Sequence, residues 1–151
     1  MSNTETQEFT KSFLKTHKEF HYNLDQQAED YVVSSGSMIL DSYLDGGFSA
    51  GVHRFVGANE GGKTNEALHV MLNMMKTVDN SKGIYIKAEG RLSKSIRERS
   101  GLTFVTDADE WVAGTCLVFE CNVFDVVFDF LRGLLKNNPN RERFGIVIDS
   151  M

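Results

Sequence analysis

The sequence predicts an α/β domain, a mainly parallel sheet flanked by helices. Three observations lead there. Short apolar runs suited to buried strands alternate with amphipathic helical stretches. A glycine-rich loop, GANEGGKT from Gly57 to Thr64, joins one such run to one such helix. The last apolar run, Gly145 to Asp149, is an uninterrupted GIVI that ends on a carboxylate.

Residues 1–30 are polar, but Phe9, Phe13, His17 and Phe20 fall near helical spacing. They predict one amphipathic helix whose aromatic stripe is buried either on its own domain or on a neighbouring subunit. Tyr31 to Val33 suit a short strand, and Ser34-Ser35-Gly36-Ser37 turns into Met38-Ile39-Leu40. Gly46-Gly47 and Gly51 then punctuate the approach to a strand expected at Val52 to Val56. After the loop, a helix is expected from about Thr64 to Val78, with Leu68, Met71, Leu72 and Met75 on one face. Ile84-Tyr85-Ile86 suits a second buried strand and Leu92 to Arg99 a short basic helix. Cys116 to Phe119 predict a third strand, and Asn122 to Leu135 a helix with Val123, Val126, Val127, Phe130, Leu131 and Leu134 inward. Thr103 to Thr115 fit none of this and are expected to be a loop or small insertion.

The bulk numbers bound the function. A chain of 151 residues makes one domain with a real core, and 41% hydrophobic and 25% charged residues are ordinary for a soluble protein. The net charge of −5 argues against a freestanding polyanion binder, while leaving a local patch or an assembled filament open. Two cysteines, Cys116 and Cys121, cannot complete a zinc site and are expected to be reduced, buried and apolar. No run approaches the roughly 20 apolar residues of a membrane span, and no signal-peptide run opens the chain, so a cytoplasmic protein is expected.

The chemistry concentrates in the loop. From average composition, a chance match to Gly-x4-Gly-Lys-Thr in a chain this long is on the order of one in a few hundred. Gly57, Gly61 and Gly62 let successive backbone N–H groups of Gly57, Ala58, Asn59, Glu60, Gly61, Gly62, Lys63, Thr64 and Asn65 face a phosphate. The helix N-terminus adds partial positive charge at the same place. Lys63 would reach the β- and γ-phosphates of ATP, and the Thr64 hydroxyl would ligate Mg2+. Asp149, at the end of a buried strand, suits the outer shell of that metal. Glu89 follows the Ile84 to Ala88 strand and suits a base that deprotonates a water, or a solvated loop carboxylate. His17 and His21 stand four apart without a third ligand, and Lys94, Arg97 and Arg99 form a basic cluster that suits a solvated helix face. His53 and His69 are expected to be structural, and Glu60, beside an anion, has no evident role.

Taken together, Ser34-Ser35-Gly36-Ser37, Leu40-Asp41, Gly46-Gly47, Gly51, GANEGGKT, Ala67 to Val70, Ala88-Glu89 and IVIDS resemble a RecA-type recombinase core, including its phage UvsX-type members. The resemblance covers residues 31–102 and 116–150. It implies a P-loop ATPase fold of RecA type, with Lys63 and Thr64 on phosphate and Mg2+, Asp149 supporting the metal and Glu89 as catalytic base. The Phe-bearing helix, residues 1–30, would be the subunit-docking segment before an ATP-binding core of residues 31–151. The intact family protein forms filaments on single-stranded DNA, acting in homologous recombination and DNA repair in the cytoplasm, or in a host's cytoplasm if phage-encoded.

Several positions depart from the family pattern. Ile96 stands where a tyrosine often meets adenine, Lys87 where an acidic residue is common, and Thr103 to Thr115 are extra. The chain stops at Met151, before the family's DNA-binding loops and before the strand that separates the phosphate-loop strand from the Asp149 strand. The expectation is therefore a truncated or split ATP-binding portion whose open strand edges pair with a complementary C-terminal fragment. Two alternatives are a non-catalytic interaction protein that modulates a recombinase filament, and another RecA-fold ATPase of helicase or clock type.

Overall fold

The computed structural model describes residues 2–17, 31–88 and 92–149. The chain divides into two units, Met1–Asp30 and Tyr31–Met151. The first contains helix α1 (Ser2–Thr16), which sets Phe9 against Phe13 at 6.0 Å and Phe13 against His17 at 4.5 Å. Phe9 and Phe13 remain 69% and 51% exposed. Phe20 and His21 lie outside the described residues.

The second unit is α/β, with a parallel four-stranded sheet flanked by helices. Its elements in order are β1 (Val32–Val33), α2 (Met38–Tyr43), β2 (Phe48–Ser49), α3 (Lys63–Thr77), β3 (Ser81–Lys87), α4 (Lys94–Ser100), β4 (Thr103–Val105), β5 (Thr115–Glu120), α5 (Phe124–Lys136) and β6 (Arg143–Asp149). The strand order is β4-β5-β3-β6, and β1 and β2 form a separate antiparallel pair. β3 is central, so Ile84, Tyr85 and Ile86 are almost wholly buried, as its unbroken apolar run requires. Alternation splits that run between two layers. Tyr85 joins Leu68 and Met71 of α3, whereas Ile84 and Ile86 join Val127 of α5.

Two glycines let α3 lie close to the sheet. A Cβ on Gly83 would sit 2.7 Å from Met71 Sδ, and one on Gly145 would sit 3.1 Å from Met74 Sδ. Elsewhere, Asp41 organises the Ser34–Ser37 turn, taking hydrogen bonds from the Ser34 hydroxyl at 2.5 Å and the Ser35 amide at 2.7 Å. Asn73 of α3 then donates to the Ser34 carbonyl at 2.9 Å, which fastens that turn to the helix entering from the glycine-rich loop.

Two expectations fail. The strand predicted at Val52 to Val56 does not form: residues 52–57 join no ladder, and Val52 and Val56 are 101% and 77% exposed. A strand needs a neighbour, and none pairs with this run among the described residues. β6 pairs with β3 alone among the described residues, and a groove of about 650 Å3 lies between β6 and residues 48–55. The groove is walled by Val70 and Met74 of α3 and by Phe128 and Leu131 of α5, so it wraps both faces of the β6 edge.

Thr103 to Thr115 is a loop as expected only over residues 106–114, and it is not an insertion outside the sheet. It begins with β4, which extends the sheet beyond β5. It then carries Trp111, whose indole N–H donates to the Gly83 carbonyl at 2.9 Å and whose ring stacks on Phe144 at 5.8 Å. Lys82 Nζ lies 4.9 Å from the centre of that ring.

Candidate functional site

The glycine-rich loop turns at two left-handed residues, Glu60 with φ 58° and Gly62 with φ 84°. Left-handed backbone costs a non-glycine residue about 1 kcal/mol, so Glu60 holds a strained turn position with its side chain in solvent. Gly61 donates its amide to the Ala58 carbonyl at 3.2 Å. A Cβ there would sit 2.9 Å from that oxygen, so the turn requires glycine. Beside Gly57 and Gly62, by contrast, the space within 4 Å of a would-be Cβ is open. Gly62 is also the N-cap of α3, and it offers no side-chain oxygen to the free amides of the first turn.

Lys63 opens α3 and folds back over the loop, donating from Nζ to the carbonyls of Gly57 at 2.9 Å and Ala58 at 2.7 Å. Those oxygens serve as acceptors for its ammonium. The next residue reaches across the fold. Thr64 Oγ1 donates to Asp149 Oδ2 at 3.1 Å, closing a contact between residues 85 apart in sequence. The same carboxylate oxygen accepts a second bond, from the Tyr85 hydroxyl at 2.5 Å. Burial of its ring, then the bond to Asp149 and that group's negative charge, push the Tyr85 pKa well up, so the hydroxyl stays a neutral donor.

No family model, curated protein or solved structure matches the chain. The site is therefore read from its own geometry. Of the residues singled out in sequence, Thr64 and Asp149 meet at the C-terminal edge of the sheet, where parallel α/β folds collect ligands, while the Lys63 ammonium rests on the loop's own carbonyls. Glu89 lies outside the described residues. The strand before it is delivered to this edge, with Lys87 in register with Asp149 and the Ala88 amide donating to the Asp149 carbonyl at 3.4 Å.

Other expected contributors sit elsewhere. Lys87 is taken up by Glu120 at 3.0 Å. Ile96 packs on the cluster of Leu68, Met71 and Tyr85. On the exposed face of α4, Lys94 pairs with Glu98 at 3.7 Å and Arg99 donates to the Ser95 carbonyl at 3.2 Å. His53 holds the Ser49 carbonyl at 2.8 Å, a structural contact. Cys116 is buried as expected, but Cys121 is only partly so; both are free thiols.

Sequence inspection passed over Tyr85. Its signal was a polar tip inside an apolar strand, since a buried tyrosine hydroxyl needs an acceptor. Glu66, in the first turn of α3, holds one carboxylate oxygen away from solvent without a hydrogen-bond partner among the described residues.

Proposed function

We propose that this chain is the ATP-binding part of a RecA/UvsX-type recombinase, binding Mg2+·ATP at the Gly57–Thr64 loop. One observation carries the reading: the hydroxyl at the end of the loop meets the carboxylate at the end of β6 at 3.1 Å. That pairing suits a cation held on one side by a threonine oxygen and on the other through water by an aspartate.

The donor set fits Mg2+. A threonine hydroxyl and a carboxylate 3.1 Å from it are hard oxygen donors, of the kind Mg2+ takes beside waters and phosphate oxygens. When bound, the ion would neutralise charge developing on the phosphates. The chain's own residues would do the rest. Lys63 would exchange its two loop carbonyls for β- and γ-phosphate oxygens, and the loop amides with the α3 N-terminus would hold the triphosphate. Glu89 would orient and deprotonate the attacking water.

The test is binding of a fluorescent ATP analogue and ATP turnover, each with and without single-stranded DNA. Lys63→Ala is expected to weaken binding by about tenfold or more and to reduce turnover further. Unchanged affinity in that variant would remove the proposal.

The recombinase reading extends to partners. Single-stranded DNA belongs to the assembled family filament, and the β6 edge, unpaired among the described residues, and the apolar groove support pairing with a complementary fragment. Self-association would use α1. A second reading, an interaction protein that modulates such a filament without hydrolysis, is favoured by the exposed aromatic stripe of Phe9 and Phe13. Turnover that responds to single-stranded DNA supports the first reading, and nucleotide binding without turnover supports the second.

A further inference from the structure

We propose that Tyr85 is a positioning residue that fixes the Asp149 carboxylate so that the Thr64 hydroxyl presents its lone pairs to a divalent cation. The proposal rests on the Mg2+·ATP reading above. Asp149 Oδ2 accepts from Thr64 of α3 and from Tyr85 of β3, so one oxygen ties the loop helix to the central strand. Thr64 has a single hydroxyl proton, and it points at Asp149. Its lone pairs are then left for other partners. As a second donor to that oxygen, the Tyr85 hydroxyl opposes rotation of the carboxylate about its side-chain torsions and so keeps it where Thr64 points.

The anchor itself is rigid. Tyr85 is 1% exposed, packs with Leu68 and Met71, and meets the Phe104 ring edge-on at 6.5 Å. Tyr85 and Asp149 lie on adjacent parallel strands and on the same face of the sheet, since Tyr85 is in register with Val147. The ring leans along the strand direction to reach the carboxylate. Partners that orient metal-site ligands in this way typically change metal affinity by about 10–100-fold when removed.

Tyr85→Phe deletes one oxygen and keeps the ring. The experiment titrates Mg2+ into the full chain with a fluorescent ATP analogue, and measures analogue affinity separately in EDTA. The Mg2+ half-saturation is expected to rise by about tenfold or more in Tyr85→Phe, with metal-free affinity within about twofold of the unmutated chain. In an Asp149→Asn background, Tyr85→Phe is expected to add no further loss, because it acts through that carboxylate.

An unchanged Mg2+ half-saturation in folded Tyr85→Phe overturns the proposal, as does an equal loss in EDTA or an additive loss in the Asp149→Asn background. Folding is checked by the near-ultraviolet signal of Trp111. A measurement on the unmutated side chain stands independently. The 13Cζ resonance of Tyr85, assigned by substituting the other tyrosines, is expected to shift when Mg2+ is added to the analogue complex; a fixed resonance overturns the proposal. If the unmutated chain binds the analogue without any Mg2+ dependence, the metal site fails first, and this proposal with it. If Mg2+ dependence is present and Tyr85 is indifferent to it, only the positioning role falls.

Discussion

Thr64 and Asp149 show how a single contact ties the start of α3 to the end of β6. Their 3.1 Å bond exists because α3 starts at the sheet edge where β6 ends. Thr64→Ala is expected to reduce the Mg2+-dependent part of analogue binding by about tenfold, with metal-free binding retained. Equal losses with and without Mg2+ would show that Thr64 serves the loop rather than the metal. The two thiols should also separate. Burial pushes the Cys116 pKa from 9.0 up to about 12, so at pH 8 it is almost wholly protonated as well as inaccessible. A thiol reagent at pH 8 is expected to modify Cys121 in the native chain and Cys116 only after denaturant is added. Asp41 gives a third expectation. Hydrogen bonds from Ser34 and Ser35 lower its pKa below 3.8, so its contribution is complete above that value and is lost as pH falls through the lower, folded pKa. Protection of the Ser35 amide, measured against its intrinsic exchange rate, should therefore fall in acid before that of the core.

At the scale of elements, the sheet is held to its helices by close approach on one side and aromatic packing on the other. Gly83→Ala would force a Cβ against Met71 Sδ and is expected to cost about 1–3 kcal/mol, read as a lower urea midpoint with unchanged slope. Trp111→Ala removes a hydrogen bond to Gly83 and a stack on Phe144 from a partly exposed position, and is expected to cost about 2–4 kcal/mol. If that loss were under about 0.5 kcal/mol, the segment after β4 would be a passive loop after all. The Val52–Val56 run behaves in the opposite way. Its β-branched residues suit a strand, yet propensity cannot supply the neighbouring backbone a ladder needs.

For the whole molecule, the main feature is the edge of β6 that is left unpaired among the described residues. Its Ile146-Val147-Ile148 run has the composition of an interior strand, and it carries none of the lysines or prolines that protect natural edges. Ile148, 38% exposed, is the accessible test position. Concentration-dependent association is expected in sedimentation, and Ile148→Lys should weaken it while leaving the far-ultraviolet spectrum unchanged. A chain that stays monomeric at all concentrations, or a lysine variant that associates equally well, would count against pairing at this edge.

The alternation of apolar runs and amphipathic stretches was enough to specify an α/β unit, because burial on two faces imposes that pattern on any parallel sheet. GANEGGKT was likewise legible, since a Cβ at Gly61 would strike the Ala58 carbonyl and Gly62 takes a left-handed φ that favours glycine. Asp149 could be nominated as the end of an apolar strand, although that strand lies at the sheet edge and none of its residues is fully buried. The tertiary structure decided what local pattern cannot encode. It left Val52 to Val56 outside any ladder among the described residues, added β4 to the sheet, and carried Trp111 to Gly83. It also brought the Tyr85 hydroxyl onto the Asp149 carboxylate. Each of these depends on which backbone lies alongside which, and on burial that leaves a polar atom one acceptor to find. Neither is a property of a segment read by itself.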